Sequence, residues 1–120
     1  MIENDDKRIK EYYDLKPGRF SVLKLFSVRQ EFGPSGVMEQ IVSIVLSQDF
    51  NDDGECLYVD CFGVRNLEFK QPELGLVSIS LLEIYVGREV PSVEGAYFVV
   101  DPEQERVVSL ECREFSAAVR

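Results

Sequence analysis

The sequence contains no histidine and no tryptophan among its 120 residues. Without histidine, the chain cannot assemble a Ser-His-Asp or Cys-His catalytic arrangement, a histidine general acid or base, or the common zinc ligand sets. Its three cysteines have no CxxC spacing, and neither a P-loop nor a GxGxxG motif occurs. We therefore expect no cofactor and no metal, and we predict that the protein is not an enzyme.

Basic residues are also few, since 13 Lys and Arg oppose 22 Asp and Glu, for a formal net charge of −9. No basic stripe is present to follow a phosphate backbone, so we expect neither nucleic-acid nor membrane binding. No apolar run approaches the roughly 20 residues of a membrane span, and the charged segment MIENDDKRIKEYYD lacks the apolar core of a signal peptide. These features favour a cytoplasmic protein whose acidic surface keeps it soluble or attracts a basic partner.

The cysteines give no closed disulfide set, because their number is odd. Cys56 and Cys61 would point to opposite faces of one straight strand and could not bond each other. Cys112 could in principle pair with either of them. We interpret all three as reduced, mostly buried thiols, because free cysteine usually behaves as a small core hydrophobe.

A chain of this length fits one domain spanning residues 1–120, with an N-terminal helix within 1–16 and a β-domain over 19–116. Acidic residues begin the helical segment, and Pro17-Gly18 ends it. Ile9, Tyr12 and Tyr13 form a short apolar stripe, and we expect the helix to be held by docking of the tyrosines.

The remainder of the chain has the composition of β-structure. Its segments are too close together for crossover helices, so we predict antiparallel pairing. The predicted fold is mainly β, an antiparallel β-sandwich or strongly curved sheet of six or seven strands with one short N-terminal helix. The strand-like segments are 20–30, 37–48, 55–64, 64–70, 74–86, 96–100 and 106–115, the last two forming a hairpin.

Three regions carry more specific predictions. Segment 31–36 reads as a loop because it contains Gly-Pro-Ser-Gly, and the C-terminal SAAVR reads as a frayed tail. Segment 74–86 is the most apolar and is predicted to be a central strand. Its expected core residues are Leu76, Val77, Ile79, Leu81 and Ile84.

The stretch DFNDDGECLYVD, residues 49–60, has the register of an EF-hand calcium loop, with Asp49, Asn51 and Asp53 at ligand positions and Asp60 at position twelve. The flanking segments are strand-like, however, and Asp60 would lie about 16 Å along a strand from the turn, at roughly 3.3 Å per residue. We therefore favour a plain hairpin turn, for which Asn, Asp and Gly are preferred residues.

The same turn is the candidate protein-binding site. Hairpin tips project into solvent, and its carboxylates could meet a basic protein beside an aromatic anchor. The alternative is that these charges only hydrate the loop. The site consists of Asp49, Asp52, Asp53, Glu55 and Tyr58.

Two other carboxylates, Asp60 and Glu83, interrupt apolar strands. We interpret both as half-exposed side chains that face solvent or pair with Arg65 or Arg88. A catalytic carboxylate with a shifted pKa is the less favoured reading.

The C-terminal half resembles the small bacterial immunity proteins. There, a "GV-x-N-L" turn leads to a strand holding "LEI" and to a terminal hairpin ending in "C-x-x-F". The resemblance implies a protein that binds and neutralises a cognate toxin and has no catalysis of its own, and it carries over no individual functional residue. The matching residues are Gly63, Val64, Asn66, Leu67, Leu82, Glu83, Ile84, Cys112 and Phe115.

The leading functional hypothesis is therefore a non-catalytic acidic binding protein, an immunity-type inhibitor of a basic toxin or of another basic protein. Two alternatives stay open. One is a small carboxylate-based enzyme or ligand-binding β-domain, and the other is a structural subunit that forms a homodimer through a strand edge.

Overall fold

The computed structural model describes residues 7–48, 54–70, 82–86, 97–101 and 108–120. They form one α-helix, one 3-10 helix of three residues (Pro17–Arg19) and eight strands, one or two more strands than the sequence suggests. The prediction of a mainly β fold with one short N-terminal helix is confirmed. No helix within these ranges is long and apolar enough to cross a membrane. The elements are α1 (Lys7–Asp14), β1 (Val22–Phe32), β2 (Met38–Ser47), β3 (Cys56–Phe62), β4 (Arg65–Phe69), β5 (Glu83–Val86), β6 (Tyr97–Val100), β7 (Val108–Cys112) and β8 (Glu114–Val119).

The strands pair into two antiparallel four-stranded sheets. Sheet A has the order β1-β2-β3-β8, and sheet B has the order β4-β7-β6-β5. The side chains between the sheets form one buried cluster, to which β3 contributes Leu57, Val59 and Cys61, as its alternating pattern predicts. On β2 the outer-face residues Ile41 and Val45 are buried as well as the inner-face residues, so this strand is covered on both faces.

The chain passes between the sheets at two adjacent points. β3 leads into β4 at Gly63, and β7 leads into β8 at Arg113, whose backbone N–H donates to the Phe62 carbonyl oxygen at 2.9 Å. Gly63 has φ +66°, and a Cβ built there would lie 3.0 Å from the Arg113 Cβ. Glycine is needed at this position because both the left-handed backbone and the close approach disfavour a side chain.

The prediction that the C-terminal tail frays is wrong. β8 pairs with β3, with Phe115 opposite Cys61 and Ala117 opposite Val59. The pairing extends to the last residue, since Cys56 and Arg120 exchange two backbone hydrogen bonds of 2.8 and 3.0 Å. The backbone groups along this edge of β3 need partners, and β8 supplies them despite its weak strand composition.

The predicted loop and the predicted central strand also differ from the structure. β1 continues to Phe32, so the loop begins two residues later than expected. In the described part of sheet B, β5 pairs only with β6 and lies at the end of the sheet instead of its centre. Ile84 is buried as predicted. Leu76, Val77, Ile79 and Leu81 lie outside the described residues.

Helix α1 docks through its tyrosines, as expected. The buried Tyr12 hydroxyl donates to the Leu82 carbonyl oxygen, and its ring packs edge-on against Phe115 of β8 at 6.2 Å. The Tyr13 hydroxyl accepts from the Ile84 N–H at 3.2 Å and lies 3.3 Å from the Ile84 carbonyl oxygen, on the outer edge of β5. The helix therefore connects β8 of sheet A to β5 of sheet B and closes one side of the two-sheet assembly.

Candidate protein-binding surface

The acidic turn that the sequence selects lies at the end of the β2–β3 hairpin. The register runs to Ser47 opposite Cys56, so residues 48–55 connect two antiparallel strands and are not flanked by the helices of an EF-hand. Glu55 is exposed at the start of β3. Asp49, Asp52 and Asp53 lie outside the described residues.

Tyr58, the aromatic member of the predicted site, lies on the outer face of sheet A. The register aligns it with Leu25, Val45 and Ala118 in one apolar row across four strands. Its ring is half-buried, and the Arg120 guanidinium lies 5.1 Å from the ring centroid, within the range of a cation–π contact. Tyr58 is therefore a fixed aromatic surface a few residues from the turn, as a contact anchor requires.

The neighbouring row on the same face is polar and contains Asp60. The Ser43 hydroxyl donates to Asp60 Oδ1 at 2.6 Å, and Arg29 Nη1 donates to Ser43 Oγ at 2.9 Å. Asp60 is half-buried, as predicted, but its observed partner is Ser43 and not Arg65, which lies on the other sheet. Arg88 lies outside the described residues. A neutral hydroxyl thus joins one acid and one base across three strands.

An ion-pair network joins the hairpin of β1 and β2 to the beginning of β8. The Arg113 guanidinium donates to both Glu39 oxygens, at 3.1 and 3.0 Å, and to Glu114 at 3.2 Å. Hydrogen bonding to Glu39 raises the pKa of Arg113 above its usual value, so this side chain stays charged. Arg8 of α1 adds a contact of 3.2 Å to Glu114. The sequence gives no signal for this network, because Glu39 and Arg113 lie 74 residues apart.

A cleft of about 460 Å³ lies between α1 and β8. Two carboxylates, Glu11 and Glu114, line it, and Glu114 is paired with Arg8. The cleft lies on the side of sheet A that α1 covers. Its remaining lining residues are Arg8, Tyr12, Leu15, Phe115, Ser116 and Ala117.

The groups with strongly shifted pKa values belong to the core. Burial raises the pKa of Tyr12 far above the usual tyrosine value. A hydrogen bond with Cys112, together with burial, raises the pKa of the Cys61 thiol. All three cysteines are free and buried, as the sequence predicts. Within the described residues, no three Cys, Asp or Glu side chains form a group that could hold a metal ion.

The outer face of sheet B carries an aromatic pair that the sequence analysis did not select. Tyr85 is 47% exposed and stacks on Phe98 with ring centroids 5.4 Å apart. The next residue along this row is Glu111, which accepts a hydrogen bond from the Asn66 amide. Alternation in β5 and β6 places both rings on the outer face, but their pairing depends on strand register that the sequence does not reveal.

Comparison with known proteins assigns the family. A family model described as Immunity protein PIM8 matches residues 4–118, which extends the resemblance of the C-terminal half to nearly the whole chain. No curated protein and no solved structure matches the chain. The chain belongs to the PIM8 immunity protein family.

Proposed function

We propose that this protein neutralises a cognate toxin by binding it stoichiometrically, without catalysis of its own, and that the toxin surface it meets is basic. The family match over residues 4–118 carries this proposal, because it implies a protein partner. The net charge of −9 supports the basic character of that partner through charge complementarity. The free, buried cysteines are consistent with a reducing compartment, and we propose the cytoplasm as the site of action.

We place the contact at the β2–β3 turn, formed by Asp49, Asp52, Asp53, Glu55 and Tyr58. The turn follows two paired strands, so the sheet fixes its base, and the held ring of Tyr58 lies nearby. In this arrangement the carboxylates attract the basic toxin over distances up to the Debye length, about 8 Å at physiological salt. Tyr58 then supplies contact area with little loss of side-chain freedom.

The test requires the cognate toxin. We would identify it as a protein that is encoded beside this chain, that inhibits growth when expressed alone, and that no longer does so when this chain is coexpressed. We expect the double variant Asp52→Lys/Asp53→Lys to associate about tenfold more slowly at low salt, with a difference that shrinks as salt rises. Stopped-flow or surface-based kinetics measure this rate. The melting temperature should change little, because exposed loop charges contribute little to stability.

A matched control separates local contact from net charge. The double variant Glu11→Lys/Asp14→Lys makes the same charge change on exposed positions of α1. If both double variants slow association equally, the turn has no special role. An association rate that does not depend on salt for the unmodified chain would contradict a basic toxin surface. Loss of affinity on Tyr85→Ala, with none on Tyr58→Ala, would move the contact to the outer face of sheet B.

A further inference from the structure

β1 has a regular, unpaired edge in the described part of sheet A, where it pairs only with β2. The N–H of Gly33 donates to the Val37 carbonyl oxygen at 2.8 Å, so the peptide groups of Gly33 point toward β2. Peptide direction alternates along an antiparallel ladder. The N–H and C=O groups of Phe32, Gln30 and Val28 therefore point away from β2, along the outer edge of the sheet.

The other edges of the two sheets are less suited to pairing. Helix α1 packs at β8 and at the outer edge of β5. β4 has a register shift between Arg65 and Glu68, and Asn66 within it has φ +53°. Helix cover and bulges are the devices that protect strand edges from association. Among the described residues, β1 has neither from Leu25 to Phe32, because its register shift lies before Leu25 and α1 packs elsewhere.

The side chains of this edge are apolar on one face and charged on the other. Val28, Phe32 and the register partner Met38 share the inner face and are 44%, 74% and 48% exposed. Arg29 and Glu31 lie on the outer face, where Arg29 Nε contacts Glu31 Oε2 at 2.5 Å. Exposed apolar side chains along an open strand edge are typical of an association surface.

We propose that a second copy of this chain pairs with this edge, β1 against β1, antiparallel and with Gln30 on the twofold axis. In this register Gln30 lies opposite Gln30 of the second copy, and Val28 lies opposite Phe32 of the second copy. The outward peptide groups of the two strands then exchange about six hydrogen bonds, because each outward residue meets an outward residue.

Charge selects this register from its neighbours. With Gln30 on the axis, Arg29 lies opposite Glu31 of the second copy, and the symmetry repeats the pair. Moving the axis to Arg29 opposes two arginines, and moving it to Glu31 opposes two glutamates. Like charges directly opposite one another destabilise a strand pair, whereas opposite charges stabilise it. On the inner face, Phe32 joins Met38 to Val28 of the second copy in one apolar row.

Sedimentation equilibrium of the purified chain, from roughly 1 µM to 1 mM, tests the proposal. The measurement uses no toxin, so its result is independent of whether the protein neutralises one. We expect a monomer–dimer equilibrium. Each single reversal, Arg29→Glu or Glu31→Arg, should weaken the dimer about tenfold, because it places like charges opposite each other at two symmetric positions. The double variant Arg29→Glu/Glu31→Arg should restore the dissociation constant to within about threefold.

Two further variants distinguish pairing from a general charge effect. Gln30→Pro removes the central N–H, which β2 does not use, and should leave a monomer with an unchanged circular dichroism spectrum. Glu68→Arg, on β4 of the other sheet, makes the same charge change as Glu31→Arg and should leave dimerisation intact. A chain that remains monomeric throughout, or a dimer that tolerates both single reversals, overturns the proposal.

Discussion

Replacement of Tyr12 by phenylalanine tests how much one hydroxyl contributes to holding helix α1 on the sheets. Tyr12 is 1% exposed, and its hydroxyl donates to the carbonyl oxygen of the buried Leu82. Phenylalanine keeps the ring and its edge-on contact with Phe115, so packing changes little. The variant loses one buried hydrogen bond and leaves an acceptor without this donor. We expect a loss of about 1–2 kcal/mol in the free energy of unfolding.

Urea denaturation followed by circular dichroism measures this loss. The transition should shift to lower urea with an unchanged slope, because Tyr12→Phe alters stability and not the surface exposed on unfolding. The melting temperature should fall by about 3–8 °C. Tyr13→Phe is the matched comparison: its side chain is more exposed, so we expect about 0.5–1 kcal/mol. A loss below about 0.3 kcal/mol for Tyr12→Phe would show that the hydroxyl does not hold the helix.

Two further predictions concern solution conditions. Because burial raises the pKa of Tyr12, its stabilising protonated state is fully present below the unfolded value of about pH 10, and stability should fall as pH rises above it. Tyr12→Phe should flatten that fall in urea titrations at several pH values, and an unchanged slope would contradict this assignment. Calcium up to millimolar concentration should leave the melting temperature unchanged. A calcium-dependent rise that disappears in Asp49→Ala and Asp53→Ala would contradict the hairpin-turn interpretation.

Where side chains alternate regularly, the sequence predicts the fold well. In β3, Leu57, Val59 and Cys61 alternate with larger or polar residues, and burial follows that pattern because successive side chains point to opposite faces. The hairpin of β6 and β7 is likewise predicted by a turn sequence between two apolar runs. In these elements the residues close together in sequence are sufficient to predict the observed structure.

The sequence does not predict strands whose pairing partners are distant along the chain. β8 contains Ser116, Ala117 and Ala118, which are weak strand formers, and it becomes a strand because β3 offers it unpaired backbone groups. The chain bend at Arg113, which separates β7 from β8, has no marker of its own. Its counterpart Gly63 could have suggested a bend, because glycine within a strand pattern is a signal for one.

The sequence predicts that the acidic segment connects two paired strands, and the β2–β3 register agrees with this. The partner of Asp60 could not be found from the sequence, because Ser43 reaches it through strand register and not through sequence proximity. The stack of Tyr85 on Phe98 requires knowing that β5 and β6 are neighbours. Such pairs depend on the whole topology, whereas a turn is determined by a few adjacent residues.

The contact between Cys61 and Cys112 allows thiol labelling to measure how often the two sheets separate. Cys61 belongs to sheet A and Cys112 to sheet B, and both thiols are buried inside the core. A thiol reagent can modify them only in molecules whose sheets have separated, so the labelling rate measures how often that separation occurs. Cys56, at the end of β3, reports instead on fraying of the β3–β8 pair. Comparing the labelling rate of Cys56 with that of Cys61 and Cys112 therefore distinguishes local fraying from global unfolding in one unmodified chain.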